Sequence, residues 1–168
     1  QIICEGIKYI LTIFEKRVKE EELPFFINLK LYLSDNNFKC PKPISDINGK
    51  IINSLKNKKA IIITFIEGKK VNTPNLTHCK EIGVMLGNLH NLTNDFNQKR
   101  ENTLGIQEWK DIYKKCENND FEKFDSVMVD LKNEINFLEK SWPTNLPSGI
   151  IHADLFKDNI FFNEDKIT

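Results

Sequence analysis

The residues best suited to chemistry lie near the end of the chain, in the run GIIHADLFKDNIFF at 149–162. His152, Asp154 and Asn159 there give the spacing H-x-D-x-x-x-x-N. Phosphoryl transfer asks for residues of this kind, because the protein must orient a hydroxyl nucleophile and neutralise charge on a triphosphate. An aspartate at the end of a strand can accept the hydroxyl proton. An asparagine five residues on, across a tight loop, can point back toward a magnesium ion on the phosphates. Apolar runs on both sides would hold the two side chains in register. With three histidines, ten aspartates and twenty asparagines in 168 residues, the spacing arises by chance about 0.02 times. The same residues would also serve as a polar turn with a capping aspartate and a turn asparagine.

Positioning such a loop requires strands and helices around it. YILTIF at 9–14 is β-branched and aromatic and predicts a strand. Pro24 suits a first helical turn, and Leu23, Phe26, Ile27 and Leu31 recur at helical spacing, which predicts a helix near 21–34 that ends at Asp35, Asn36 and Asn37. Pro41 and Pro43 enforce an extended connector. Asn48-Gly49 predicts a hairpin turn, followed by a strand at Ile51 and Ile52 and a central one at 60–66 (AIIITFI), broken by Glu67-Gly68. Helices are then predicted over 77–92, 106–116 and 120–141. Their apolar stripes include Cys79, Ile82, Met85, Leu86 and Leu89, then Trp109, Ile112 and Tyr113, then Phe121, Phe124, Met128, Leu131, Ile135 and Leu138. Ile150-Ile151 and Ile160–Phe162 are expected as a pair of short strands around the polar loop. The reading is an α+β chain of two lobes: a mixed α/β one at 1–67, and a mainly helical one at 68–168 that carries the loop. Gln1 opens on the approach to a strand and Thr168 stops as another begins, so both ends are expected to be cut.

Composition narrows the function classes. The chain is 40% hydrophobic and 29% charged, an ordinary globular balance. Lysine plus arginine equals aspartate plus glutamate, 24 each, so no bulk basic field exists to attract nucleic acid. No apolar run approaches 18 residues and no signal peptide is evident, so neither a membrane partner nor export is expected. Cys4, Cys40, Cys79 and Cys116 are scattered without a CxxC pair, as in a cytoplasmic protein with reduced thiols.

The run IHADLFKDNIFF resembles the catalytic loop of bacterial homoserine kinases of the aminoglycoside-phosphotransferase-like group, whose wider membership more often carries Gly where this chain has Ala153. YILTIFEKR at 9–17, EELPFFINL at 21–29, CPKPISDINGK at 40–50 and LGNLHNL at 86–92 are similar as well, so the resemblance covers nearly the whole chain. It implies a two-lobed, protein-kinase-like (APH-like) fold, with ATP and Mg2+ as cofactors and L-homoserine as the small-molecule substrate. It implies Asp154 as catalytic base, His152 as a brace of the loop and Asn159 as a magnesium ligand. Thr64, Phe65 and Ile66 would border the adenine, Lys157 would contact phosphate or a substrate carboxylate, and Glu22 would pair with a phosphate-binding lysine. His90 is expected as a buried or interlobe histidine. The phosphate-binding lysine of such lobes aligns with Thr12 here, leaving Lys8, Lys16 or Arg17 to replace it. A second metal-binding aspartate is expected past Thr168, so the chain by itself is expected to be inactive. Choline, ethanolamine, methylthioribose and aminoglycosides stand as alternative acceptors, and a non-catalytic nucleotide-binding pseudokinase as an alternative class.

Overall fold

The computed structural model describes residues 1–15, 19–117 and 124–168. A five-stranded antiparallel sheet opens the chain: β1 (Ile2–Cys4), β2 (Ile7–Ile13), β3 (Pro43–Ile44), β4 (Asn53–Leu55) and β5 (Lys58–Thr64). β5 is central, with β2 on one side and both β3 and β4, end to end, on the other. Two tight turns set the register. Glu5 and Gly6 join β1 to β2, and Lys56 and Asn57 join β4 to β5, all four with positive φ. Paired left-handed residues between hairpin strands match the right-handed twist of the sheet.

The expected turn at 46–50 forms, with the Asp46 carboxylate accepting from the N–H groups of Asn48 and Lys50 at 2.9 Å each. Those two bonds favour the charged form and hold the Asp46 pKa below its ordinary value. The turn does not join two paired strands, however, and the strand expected at Ile51-Ile52 begins instead at Asn53. The hairpin is made by Lys56-Asn57, a weaker turn signal than Asn48-Gly49.

A 3-10 turn at Glu20–Glu22 leads into α1 (Leu23–Asp35), with proline in its first turn as expected. Asn37 adopts φ +60°, and Phe38 N–H bonds the Leu33 carbonyl at 2.9 Å. That left-handed stop satisfies carbonyls the helix end would leave orphaned. Leu23 and Ile27 bury one face. Tyr32 Oη donates to the Leu92 carbonyl at 3.0 Å, and Phe25 and Tyr32 both lie against the Phe96 ring.

α2 (Leu76–Leu92) follows the connector after β5, and a short hairpin of β6 (Phe162–Asn163) and β7 (Lys166–Ile167) ends the chain. These elements close with the sheet into one compact unit, residues 1–99 with 149–168. Its second apolar cluster is Ile160, Phe162 and Ile167, flanked by Val71, Ile82, Met85 and Leu155. Cys79 lies off the buried stripe and is exposed. The strand pair at the end differs from the expected one. Gly149–Ile151 pairs with nothing among the described residues and Ile151 is exposed, whereas β6 finds its partner downstream in β7.

The second compact unit, residues 100–148, holds α3 (Ile106–Glu117) and α4 (Asp125–Ser141). Trp109 meets Trp142 edge to face at 5.7 Å, and Lys110 pairs with Glu139. Met128, Ile135 and Leu138 are half-buried, while Phe124, Leu131 and Ile112 stay exposed. Phe121 lies outside the described residues. No strand occurs between 77 and 141 among the described residues.

Candidate active site

The stretch from Asp154 to Asn159 is anchored on the apolar cluster at two points: Leu155 packs on it just after Asp154, and Ile160 is buried in it just after Asn159. Between these anchors the polar residues face outward. Asn159 Nδ2 donates to the Asp154 carbonyl at 2.8 Å and to Asp154 Oδ2 at 2.9 Å, so the five-residue spacing does bring the two side chains together. Asp154 Oδ1 and Asn159 Oδ1 have no hydrogen-bond partner among the described residues. Asp154 N–H points at His152 Nδ1 across 3.4 Å, a long bond that braces the loop only weakly. Lys157 begins the 3-10 turn at Lys157–Asn159, is exposed, and has no ion-pair partner among the described residues.

Ala153, between His152 and Asp154, sits at φ +63°. A side chain in the left-handed region costs about 1–2 kcal/mol, which glycine avoids at the expense of a more flexible unfolded chain. Ala153→Gly is therefore expected to be neutral or stabilising by up to about 1 kcal/mol in urea unfolding. A clear loss of stability would mean that the methyl group makes contacts worth more than the strain.

The connector from Thr64 to Lys70 joins the sheet to this loop. Thr64 commits its amide to the Lys42 carbonyl and its hydroxyl to the Lys42 N–H, both at 2.9 Å. Phe65 and Ile66 are half-buried, and their peptide groups make no backbone bond among the described residues. Lys8 lies over the Phe65 ring at 5.3 Å and pairs with Glu67 at 2.8 Å. Lys69 and Phe162 exchange both backbone bonds, at 2.8 and 2.9 Å. Lys70 lies 3.6 Å from Asp158, beside Asn159. Gly68 is the tight point: a Cβ there would stand 2.7 Å from Thr168 Oγ1, 2.9 Å from Phe161 Cβ and 3.3 Å from the Phe162 carbonyl. Gly68→Ala is expected to lower stability by about 1–3 kcal/mol through overpacking. An unchanged urea midpoint would show that connector and hairpin part easily.

Glu22 stands half-buried where the 3-10 turn becomes α1. Thr12 is half-buried on β2 opposite Ile61. Lys16 and Arg17 lie outside the described residues. His90 is exposed, contrary to expectation; the buried histidine of α2 is His78. Sequence reasoning passed over His78, although Asn75-x-x-His78 has the spacing of a helix capping box.

The phosphotransferase enzyme family (APH) matches residues 3–168. The chain belongs to this family. The chain is 42% identical over 161 residues to the homoserine kinase of Bartonella henselae, a match covering 96% of this chain and 50% of that protein. With the homoserine kinase of Rhizobium meliloti it shares 38% identity over 164 residues, covering 95% and 49%. The chain thus spans about half the length of the curated relatives it matches. Among solved structures, an amicoumacin kinase in complex with AMP-PNP, Ca2+ and Ami superposes with a TM-score of 0.74 at 21% identity, over 97% of this chain and 51% of that one. A spectinomycin phosphotransferase in complex with ADP and spectinomycin gives 0.66 at 19% identity, over 97% and 55%. These likenesses establish the fold, and the expected kinase-like α+β class is the one found. Among the described residues no helix is long and apolar enough to cross a membrane.

Proposed function

We propose that a full-length protein carrying this chain is an ATP-dependent homoserine kinase, transferring the γ-phosphoryl group of ATP to the side-chain hydroxyl of L-homoserine in the cytoplasm. The observation that carries the reading is the 38–42% identity to homoserine kinases across at least 95% of this chain. The product, O-phospho-L-homoserine, would enter threonine biosynthesis. Residues 1–67 form the nucleotide lobe in this reading, and 68–168 the start of the catalytic lobe.

Asp154 takes the role of base: its free Oδ1 is exposed and can accept the hydroxyl proton as the phosphoryl group arrives. Asn159 orients Asp154 through Nδ2 and presents Oδ1, a hard amide oxygen of the kind magnesium accepts. No cluster of three or more His, Cys, Asp or Glu side chains that could hold a metal occurs among the described residues. A magnesium ion held in part by Asn159 would, when bound, neutralise charge on the phosphate oxygens. The unbonded peptide groups of Phe65 and Ile66 suit the edge of an adenine, with Thr64 fixing the start of that segment. Lys157 supplies a free cation for a carboxylate or phosphate. His152 braces the loop, and Glu22 pairs with the cation that replaces the lysine missing at Thr12.

Growth provides the direct test. The full-length gene is expected to restore a homoserine-kinase-deficient bacterium on medium without threonine, while medium with threonine supports all strains equally. Failure to restore growth by a protein that is expressed and folded would overturn the homoserine assignment.

A further inference from the structure

We infer that His78 is a positioning residue for the hairpin behind the catalytic loop, an inference that rests on the phosphotransfer reading above and deepens it. His78 is one of two buried polar residues among those described, with 7% of its surface exposed. Both of its ring nitrogens face partners. Nδ1 accepts the N–H of Asn75 at 3.1 Å, and Asn75 Oδ1 accepts the N–H of His78 at 2.9 Å, so the two residues cap α2 reciprocally. Because Nδ1 is the acceptor, the proton of the neutral ring resides on Nε2. Nε2 lies 3.4 Å from Asp165 Oδ1, in the turn between β6 and β7. The ring also meets Phe162 edge to face, with centroids 4.6 Å apart at 81°.

A helix cap alone does not call for this ring. The third helical position of a capping box is filled best by glutamate or glutamine, which reach back to the same N–H. Histidine adds what glutamine lacks: a second nitrogen directed at the hairpin turn and a flat edge against Phe162. Phe162 is buried, follows Asn159 by three residues, and exchanges both backbone bonds with Lys69. One side chain therefore touches the cap of α2, the strand that continues the catalytic loop, and the turn beyond it. A second tie, Lys166 to Glu81 at 2.8 Å, holds the same hairpin to the same helix from the exposed side. Without the ring, the segment from Ile160 to Asn163 loses a wall, and the backbone that carries Asn159 is held less firmly beside Asp154. Misplacement of a reacting group by about 1 Å can cost on the order of 10²-fold in rate.

His78→Gln separates the two roles, since glutamine keeps the cap and gives up the hairpin contacts. In the full-length protein we expect this variant to unfold at the wild-type urea midpoint. Its kcat should fall by about 5–30-fold, with KM for ATP within about twofold of wild type. Amide hydrogen exchange should quicken at 159–163 and stay unchanged at 79–85. His78→Ala, which removes cap and contacts together, should lose stability as well. Wild-type kcat in the glutamine variant, or unchanged exchange at 159–163, would reduce His78 to a helix cap and overturn the inference. The kcat ratio is taken with whichever acceptor the wild-type protein phosphorylates. A wild type inactive on L-homoserine thus counts against the proposed function alone, and the exchange measurement still decides the role of His78.

Discussion

Asp154→Asn in the full-length protein is expected to reduce turnover by about 10²–10⁴-fold, the range for loss of a positioned general base. The substitution keeps the size and shape of the side chain. Its amide oxygen can still accept from Asn159 Nδ2, which now binds Asp154 Oδ2 at 2.9 Å. The loop also retains the bond from Asn159 to the backbone carbonyl of residue 154, at 2.8 Å. Stability should therefore change little, and so should the affinity for ATP, whose adenine is proposed to meet the connector rather than this loop. What disappears is the negative charge and the free carboxylate oxygen that can take a proton. Steady-state assays at saturating ATP and acceptor measure the loss directly. Near-normal turnover would show that Asp154 is a turn residue and that the proton leaves by another route.

That the loop could be found from sequence at all follows from its local nature. Asp154 and Asn159 are five residues apart, and the contact between them depends on a short loop whose ends are apolar. The central strand β5 was equally legible, because AIIITFI has no polar face to offer solvent. Its pairing on both sides confirms that reading, although Ile62 is left partly exposed. The helices followed from apolar spacing and from Pro24, Asn36 and Asn37.

Long-range choices were harder to see. The strand pair at the end went to β6 and β7 because Phe162 and Ile167 can both enter the apolar cluster and the turn at Glu164 can adopt φ +54°. Ile150-Ile151 has the same composition and no partner among the described residues. The hairpin at Lys56-Asn57 was hidden because Asn48-Gly49, a stronger turn signal, stood nearby. The latch between Lys70 and Asp158, 88 positions apart, and the ring of His78 on Phe162 left no trace in periodicity. A buried histidine is recognised from sequence only through its capping partner Asn75, three residues earlier.

The acceptor gives the second large effect. L-homoserine is expected to exceed choline, methylthioribose and kanamycin by at least about 100-fold in kcat/KM in the full-length protein, equivalent to about 2.7 kcal/mol of transition-state discrimination. In the proposed function the residues between Asp154 and Asn159 would lie beside the point of transfer, where they could touch the acceptor. Leu155 is turned into the apolar cluster, so the exposed side chains there are Phe156, Lys157 and Asp158. Asp158 faces Lys70 at 3.6 Å, which leaves Lys157 as the unpaired cation of the loop among the described residues. A free cation suits a short zwitterion whose carboxylate can pair with it. Choline offers no carboxylate, and its quaternary ammonium favours aromatic faces and negative charge. Kanamycin brings several positive charges to a site that already holds one, and like charges in a specific site repel. The solved antibiotic kinases share the fold at only 19–21% identity, so their likeness to this chain carries no weight in choosing the acceptor. A side-by-side assay with ATP and magnesium, each acceptor in turn, decides the matter. If choline or kanamycin led, the homoserine assignment would fall and the phosphotransferase fold would remain.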